Sequence, residues 1–477
     1  MADISDSVDP TMPVPESTVP SKDANAESST LTHETASGEH EDMPPLEGET
    51  VGPQPVSLPK SPAAIAHALG GGDVVLILDL PEVFTIGYDC VSFTAKHFGG
   101  VKDIPPGAHL VWVAHPNGTS VRCGAWITSS TQHKVHVLQW DKYNEILTVP
   151  SSAEARIQAN SLANIHSKLI PYGDPASVND QQQGTHIQGA AHDDNEVIWN
   201  RLTSCISETL LNRLTGQHNG DWFVSTVDKV RGVALIPAEI ELENRISSSL
   251  QGRDLNFIFS QTAKTYSAAG VGSLRTQEAT DASHHIISTL ADPEKALSED
   301  DFIGEFQFAY IVGTHMGNDA CLQQWWYMLL KLILRSYSLI ADRPALVEAL
   351  LRSSAAQINH SLKHLETSVF DYSERQSRDL RLALTIYKRR LQEDGLGTPS
   401  VNLALSQIEA AVVQSPLGWD INKDSYIRQG TFMTEDGDIV AMETTDLEAE
   451  DERGEFAPEV VELDESGREK GLVSWTN

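Results

Sequence analysis

Basic residues are scarce in this chain: 34 Lys and Arg stand against 67 Asp and Glu, a formal net charge of −33 over 477 residues. Phosphate backbones are bound by clustered cations, so a protein that coats nucleic acid is excluded; no direct DNA contact is expected, and any RNA contact is indirect or minor. Cysteine is sparse too. Cys90, Cys123, Cys205 and Cys321 lie far apart, no C-x-x-C or Cys…His spacing offers a zinc site, and four reduced, buried thiols are expected. Long apolar runs are missing: the most apolar stretch, Trp325 to Ile340, is interrupted by Lys331 and Arg335 and is too short to span a bilayer comfortably, so no membrane partner is expected. Residues 1–30 hold one Lys, several acids and no apolar core run, which fits neither a signal nor a transit peptide, and the expected location is cytoplasmic and nuclear. Catalytic fingerprints are lacking as well. Without a G-x-S-x-G elbow, a Walker loop, an H-E-x-x-H helix or a dinucleotide-binding glycine pattern, the expectation is no catalytic residue, no metal, no cofactor and no small-molecule substrate.

What is present is unevenly spread. Residues 1–60 carry 12 acids, 2 bases and 9 of the 23 prolines, and no Phe, Trp or Tyr occurs before Phe84. Burial there cannot offset chain entropy, so 1–60 is expected to be a disordered acidic extension. Residues 416–477 carry 17 acids and 5 bases, interrupted by short apolar islands at Ile439-Val440-Ala441-Met442, around Phe456, Val460, Val461 and Leu463, and at Leu472-Val473. Such an acidic tail has the makings of an extended peptide that adds a strand to a partner's sheet edge.

Between these ends the periodicity changes once. Residues 61–152 read as a mainly antiparallel β domain: Val74 to Leu78, His109 to Val113, Val121 to Ile127 and Lys134 to Leu138 are strand-like runs divided by turn signals at Pro105-Pro106-Gly107, Pro116-Asn117-Gly118 and Ser129-Ser130. Residues 153–195 read as a linker and flexible loop, least ordered at Gln181-Gln182-Gln183-Gly184. From 196 to 415 the spacing is helical. Ile198, Leu202, Ile206, Leu210 and Leu214 recur at intervals of four; Ser298-Glu299-Asp300-Asp301 forms a helix start; Leu322 to Tyr337 forms one wide apolar stripe; and Pro344 opens a further helix. Trp325 and Trp326 fall on that stripe and are expected in the core. The fold class is therefore α+β, multidomain, with a β-rich domain preceding an all-α one.

Candidate chemistry is thin. Gly70-Gly71-Gly72-Asp73 and Gly270-Val271-Gly272-Ser273 lack the strand-to-helix setting of a phosphate cradle. His133 and His136, three apart in a strand, point to opposite faces. Ser283-His284-His285 offers a serine beside two histidines, and a cryptic hydrolase there needs an acid and an oxyanion hole. Arg375, Arg378, Arg381 and Lys388 form the one basic stripe, opposite an apolar helix face; it reads as a solvated, locally paired face or as a dock for an acidic partner or the chain's own tail.

Three segments carry a resemblance. Gly87 and Asp89, with Gly100, Val101, Lys102, Ile104, Pro105, Pro106, Gly107 and His109, resemble the Gly-x-Asp … Gly-Val-Lys-x-Ile-Pro-Pro-Gly-x-His signature of the A1 cistron-splicing factor family, the U5 snRNP assembly factors. Val121 to Gly124 with Trp140-Asp141 fit its following strands, and Phe306, Gln307, Phe308 and Ala309, followed by Gln324-Trp325-Trp326, resemble its helical domain. The resemblance implies a VHS-like helical domain and a non-enzyme. It also implies binding to the RNase H-like and MPN-like domains of the largest U5 protein, exclusion of the spliceosomal helicase from that surface until maturation, and release controlled by phosphorylation. Fungal-type members extend a C-terminal strand into the partner, and Phe456 to Leu463 resembles that element. The alternative for a VHS-like domain is a trafficking adaptor that reads sorting peptides.

Overall fold

The computed structural model describes residues 71–422 apart from 117–120, 131–132, 174–190, 219, 233–251 and 267–271, together with the strands at 429–433 and 439–443. The expected extension at 1–60 and the tail residues Phe456, Val460, Val461 and Leu463 lie outside the described residues, as do Gln181 to Gly184 and the Asn117-Gly118 turn. All described residues belong to one compact unit.

Two five-stranded sheets form the N-terminal part. The first has the order β8-β7-β1-β4-β9, with β1 Asp73–Leu78, β4 Gly100–Ile104, β7 Val135–Asp141, β8 Ile146–Thr148 and β9 Ile170–Pro171. The second has the order β10-β6-β5-β2-β3, with β2 Val83–Tyr88, β3 Val91–Lys96, β5 Gly107–Ala114, β6 Cys123–Ser129 and β10 Trp222–Ser225. Most pairs are antiparallel, as the hairpin-rich sequence implies; β1–β7 and β4–β9 are parallel. The apolar run of β1 is explained by that parallel pairing: Val75 and Ile77 face the second sheet, while Val74 and Leu76 face Leu162 and Leu169 below the short helices Ser152–Asn160 and Leu162–Ile165.

The second sheet is buried on both sides. Val111, Val113, Ala125 and Ile127 pack toward the first sheet, whereas Leu110, Trp112, Ala114 and Trp126 pack toward the helices. One apolar cluster thus runs from β5 and β6 into the helical region without interruption.

The centre of that region is the helix Glu299–His315, whose side chains from Phe302 to Val312 are all buried. A helix apolar around its whole circumference has neighbours on every side. Ser298 starts it with a capping box to Asp301, as the sequence indicates. Glu208–Thr215, Asp319–Tyr327 and Pro344–His364 pack on it; Pro399–Gln414 packs on Pro344–His364, and Glu374–Glu393 packs on the segment Met328–Ile333. Pro344 opens its helix at the first turn, and Trp325 and Trp326 are 0% and 1% exposed, so both expectations hold.

Four local expectations are corrected. The four-residue spacing from Ile198 to Leu214 is not one helix: Ala191–Leu202 ends, and Ser207 caps a new helix at Leu210 N, because side-chain spacing does not register a break spanned by equally spaced apolar residues. The stripe Leu322 to Tyr337 leaves α-geometry after Tyr327 and continues as a π-turn, Met328–Ile333. His133 stands outside β7 with φ 52°, so it shares no strand with His136. Finally, the linker and the helical region both lend strands to the sheets, β9 to the first and β10 to the second. The tail island Ile439–Glu443 pairs antiparallel with Gln429–Met433.

Candidate functional site

The first signature closes into one buried knot. Asp89 occupies the tight connection between β2 and β3 with φ 49°, a left-handed conformation that Asp tolerates better than most residues. Its Oδ1 accepts from Leu110 N at 2.9 Å. Its Oδ2 accepts from His109 Nδ1 at 2.6 Å and from the Tyr172 hydroxyl. His109 Nε2 lies 2.9 Å from the Pro105 carbonyl. Both ring nitrogens therefore face acceptors, so both donate and the ring is an imidazolium. Burial works against that charge, yet the Asp89 carboxylate and the Pro105 carbonyl outweigh it and hold the His109 pKa above its usual value. Burial, with Asp89 alongside, also pushes the Tyr172 phenol upward.

The remaining signature residues build the same knot. Gly87 sits in β2 directly opposite Trp112, where a Cβ would lie 1.9 Å from the indole; only glycine lets the ring cross there. Gly100, at φ 151°, brings β4 to within 2.1 Å, measured from an added Cβ, of the Val75 carbonyl. Val101 and Ile104 fill the space between the sheets, and Lys102 Nζ donates to the His166 carbonyl at 3.1 Å. Pro105 and Pro106 link β4 to β5, which begins at Gly107 with φ 145°. The polar side chains of the signature are engaged inside the fold, Asp89 and His109 with each other and with Leu110, Tyr172 and Pro105, and Lys102 with His166.

The helical signature behaves likewise. Phe306, Phe308 and Ala309 are fully buried, and Phe308 stacks on Trp126 of β6 at 5.8 Å. Gln307 accepts from Cys205 N at 2.9 Å and donates to Ser204 Oγ at 2.9 Å, which secures the break between the two preceding helices. Glu305 beside it is fully buried; burial raises its pKa, and Arg213 with the Ile258 and Phe259 amides opposes this. Gln324 holds the same loop through Phe259 O and Gln261 N at 2.6 and 3.0 Å.

Sheet and helix are joined at Arg122. Its guanidinium lies 4.9 Å over Trp112 and donates to the His315 carbonyl at 2.6 Å, a cation at the C-terminal end of the central helix. Beneath it, His315 and His360 lie ring to ring at 5.5 Å, and Tyr310 is hydrogen-bonded to His360 Nδ1 at 2.8 Å. Burial drives the His315 pKa down to about 4 and that of His360 to about 2. Sequence reading missed Arg122, Tyr172 and this histidine pair as partners, since they lie tens of residues from what they touch.

The other candidates divide. The basic stripe is not one open surface: Lys388 is tied to Glu409 at 2.7 Å and to Asn422 at 2.6 Å, and Arg375 lies 3.9 Å from Asp379. Arg378 is exposed and Arg381 half-buried. At Ser283-His284-His285 the serine hydroxyl is hydrogen-bonded to Asp281 and accepts from Leu339 N at 2.8 Å, while His284 faces Glu278 at 3.6 Å. The serine is a buried helix clamp, and this arrangement makes no acid–histidine–serine relay. A groove of about 460 Å³ opens beside Trp419, with Ser406, Glu409, Val413 and Asn422 in its walls. Among the described residues, no three His, Cys, Asp or Glu side chains are placed to hold a metal ion, and no helix is long and apolar enough to cross a membrane.

Comparison with protein families gives two matches in chain order. Residues 71–216 match the AAR2 N-terminal domain, and residues 257–422 match the AAR2 C-terminal repeat region. The search of curated proteins returned no match. The first match holds the Asp89–His109 knot and the second holds the central helix with its buried glutamine and glutamate. The chain therefore belongs to the AAR2, or A1 cistron-splicing factor, family, a non-enzymatic family of pre-mRNA splicing and U5 snRNP assembly.

Proposed function

We propose that this protein is a non-catalytic assembly factor that binds the RNase H-like and MPN-like domains of the largest U5 snRNP protein and keeps the spliceosomal helicase off that surface until maturation. The observation that carries the reading is the pair of family matches in chain order. The polar side chains of both signatures are engaged inside the fold, which fits a role in shaping a binding surface. The net charge of −33 suits a holder of an RNA-binding protein, because like charge repels RNA from the held surface. In this reading Phe456, Val460, Val461 and Leu463 of the tail add a strand to the partner, the exposed basic residues of the stripe are a secondary dock, the helical region is VHS-like, and phosphorylation weakens the complex by added repulsion. The protein acts in both cytoplasm and nucleus.

Calorimetric titration of the full chain, and of the chain truncated after Pro416, against the partner's two domains tests this. Tight binding that weakens by about 1–3 kcal/mol without the tail, the loss expected for one linked peptide element, is the expected result. No binding heat with either form refutes the assembly-factor reading; equal affinity of the two forms refutes the role of the tail.

A further inference from the structure

The edges of the two sheets are not treated alike. Each unpaired strand edge is a template for another chain, and folded proteins close such edges. In the first sheet, β8 has three residues and β9 two, one of them Pro171, so neither offers a ladder. In the second sheet, the outer side of β10 is closed by a side chain that imitates a strand: Gln217 Nε2 donates to Phe223 O at 2.9 Å and Gln217 Oε1 accepts from Phe223 N at 3.2 Å. Among the described residues the opposite edge, β3, has no such device. It contains no proline, and it pairs with β2 through six regular residue pairs from Tyr88↔Val91 to Val83↔Lys96.

Alternation along that hairpin fixes which groups are free. The His97 N to Glu82 O bond marks the hydrogen-bonded phase, so Phe93 and Ala95 bond inward to β2, and the amides and carbonyls of Ser92, Thr94 and Lys96 point away from the sheet. Among the described residues none bonds to these outward groups. The side chains alternate to match: Ser92, Thr94 and Lys96 are exposed, while Val91, Phe93 and Ala95 are half-buried against the core between the sheets.

We propose that β3 is a strand-addition site for an extended segment of another protein, with apolar residues at alternate positions that complete the cover over Val91, Phe93 and Ala95 and a carboxylate facing Lys96. Charge selects this occupant. Pairing with a second copy brings two chains of net charge −33 to the roughly 4.8 Å spacing of neighbouring strands, against strong mutual repulsion. Lys96, by contrast, is an exposed cation with no acid paired to it among the described residues, and it gives an incoming acidic residue its register. This site lies on the N-terminal sheet and does not depend on the identity of the tail's partner.

The test is hydrogen–deuterium exchange of the full chain with and without a synthetic peptide of alternating valine and threonine that carries a glutamate at each end. The expected result is at least a tenfold slowing at the amides of Ser92, Thr94 and Lys96, with Phe93 and Ala95 unchanged, and loss of this protection in Thr94→Pro. Ala95→Asp, which places a charge on the inward face and keeps the backbone intact, gives the same loss if the proline variant does not fold. Absence of slowing, or equal slowing in Ala95→Asp, overturns the proposal. So does protection of these amides in the free chain that vanishes on dilution, which identifies a second copy as occupant, or that vanishes on truncation after Pro416, which identifies the chain's own tail.

Discussion

Replacing Asp89 by alanine removes three hydrogen-bond acceptances at once, from His109 Nδ1, Leu110 N and the Tyr172 hydroxyl. Asp89 and His109 are 3% and 2% exposed, so solvent cannot replace the lost partner. Breaking a buried ion pair from one side costs about 3–5 kcal/mol, and His109 limits its own share by releasing a proton. The net expectation is a loss of about 4 kcal/mol near pH 6, of which about 2 kcal/mol belongs to the stranded Leu110 amide and Tyr172 hydroxyl. The pH dependence separates these parts. The His109 pKa is raised in the folded protein, so the stability of the pair is fully present below the unfolded value of about 6.5 and is lost as pH rises through the raised value. Urea unfolding followed by tryptophan fluorescence, with wild type and Asp89→Ala compared near pH 6 and near pH 9, checks both terms. The difference in stability should shrink toward alkaline pH. A cost below about 1 kcal/mol, or one that grows with pH, refutes the buried imidazolium–carboxylate assignment.

Further perturbations probe other parts of the framework. Gln307→Leu removes the acceptor of the part-buried Cys205 N, whereas the exposed Ser204 hydroxyl can turn to water, and is expected to cost about 1 kcal/mol, read as a lower urea midpoint at unchanged slope; an unchanged midpoint contradicts the role of Gln307 in securing the helix break. Gly87→Ala places a methyl group against the Trp112 indole and should cost about 1–3 kcal/mol by overpacking, with a shift in tryptophan emission as a second readout. His315 and His360 are held neutral by burial, with pKa values lowered to about 4 and about 2, so stability is present above about 6.5 and falls as pH drops below it, by about 1.4 kcal/mol per pH unit for each histidine. In His315→Leu the acid slope should decrease by about one proton; an unaltered slope in acid unfolding is the refuting result. Lys388→Met breaks the pair with Glu409 and should cost about 1 kcal/mol, whereas Arg378→Met, at an exposed position, should leave stability unchanged in the same thermal melts.

Sequence periodicity carried most of the fold. The apolar run of β1, the capping box at Ser298, Pro344 and the stripe through Trp325 and Trp326 each expressed a local rule that the structure obeys. Long-range pairing was not legible. Nothing near Val91 to Lys96 marks an unprotected edge strand, because edge status depends on which strand fails to arrive. Trp222 to Ser225, within a helical stretch, joins the second sheet through contacts with β6 about a hundred residues earlier. The π-turn after Tyr327 kept the same apolar spacing as the α-helix before it. At the site, the signature residues were recognisable as a set, but the reason for the set was not. Asp89, Pro105 and His109 are close in sequence, while Tyr172, which completes their knot, comes from a segment that reads as linker.

The second sheet, walled by the first on one side and by helices on the other, also constrains how the chain is made. When the ribosome has released only the strands through β9, Leu110, Trp112 and Trp126 present a broad oily face that the central helix has yet to cover, because Phe308 and its neighbours on that helix come more than a hundred residues later in the chain. The nascent protein therefore passes through an interval in which its half-built sheet must be shielded by holdase chaperones or risk association with other chains. Fragments cut at the apparent boundary between strands and helices inherit that bare face permanently, and the helical half loses the floor it packs against. Expression trials that split this protein there should yield insoluble material from both halves, and co-expression of the two should recover it.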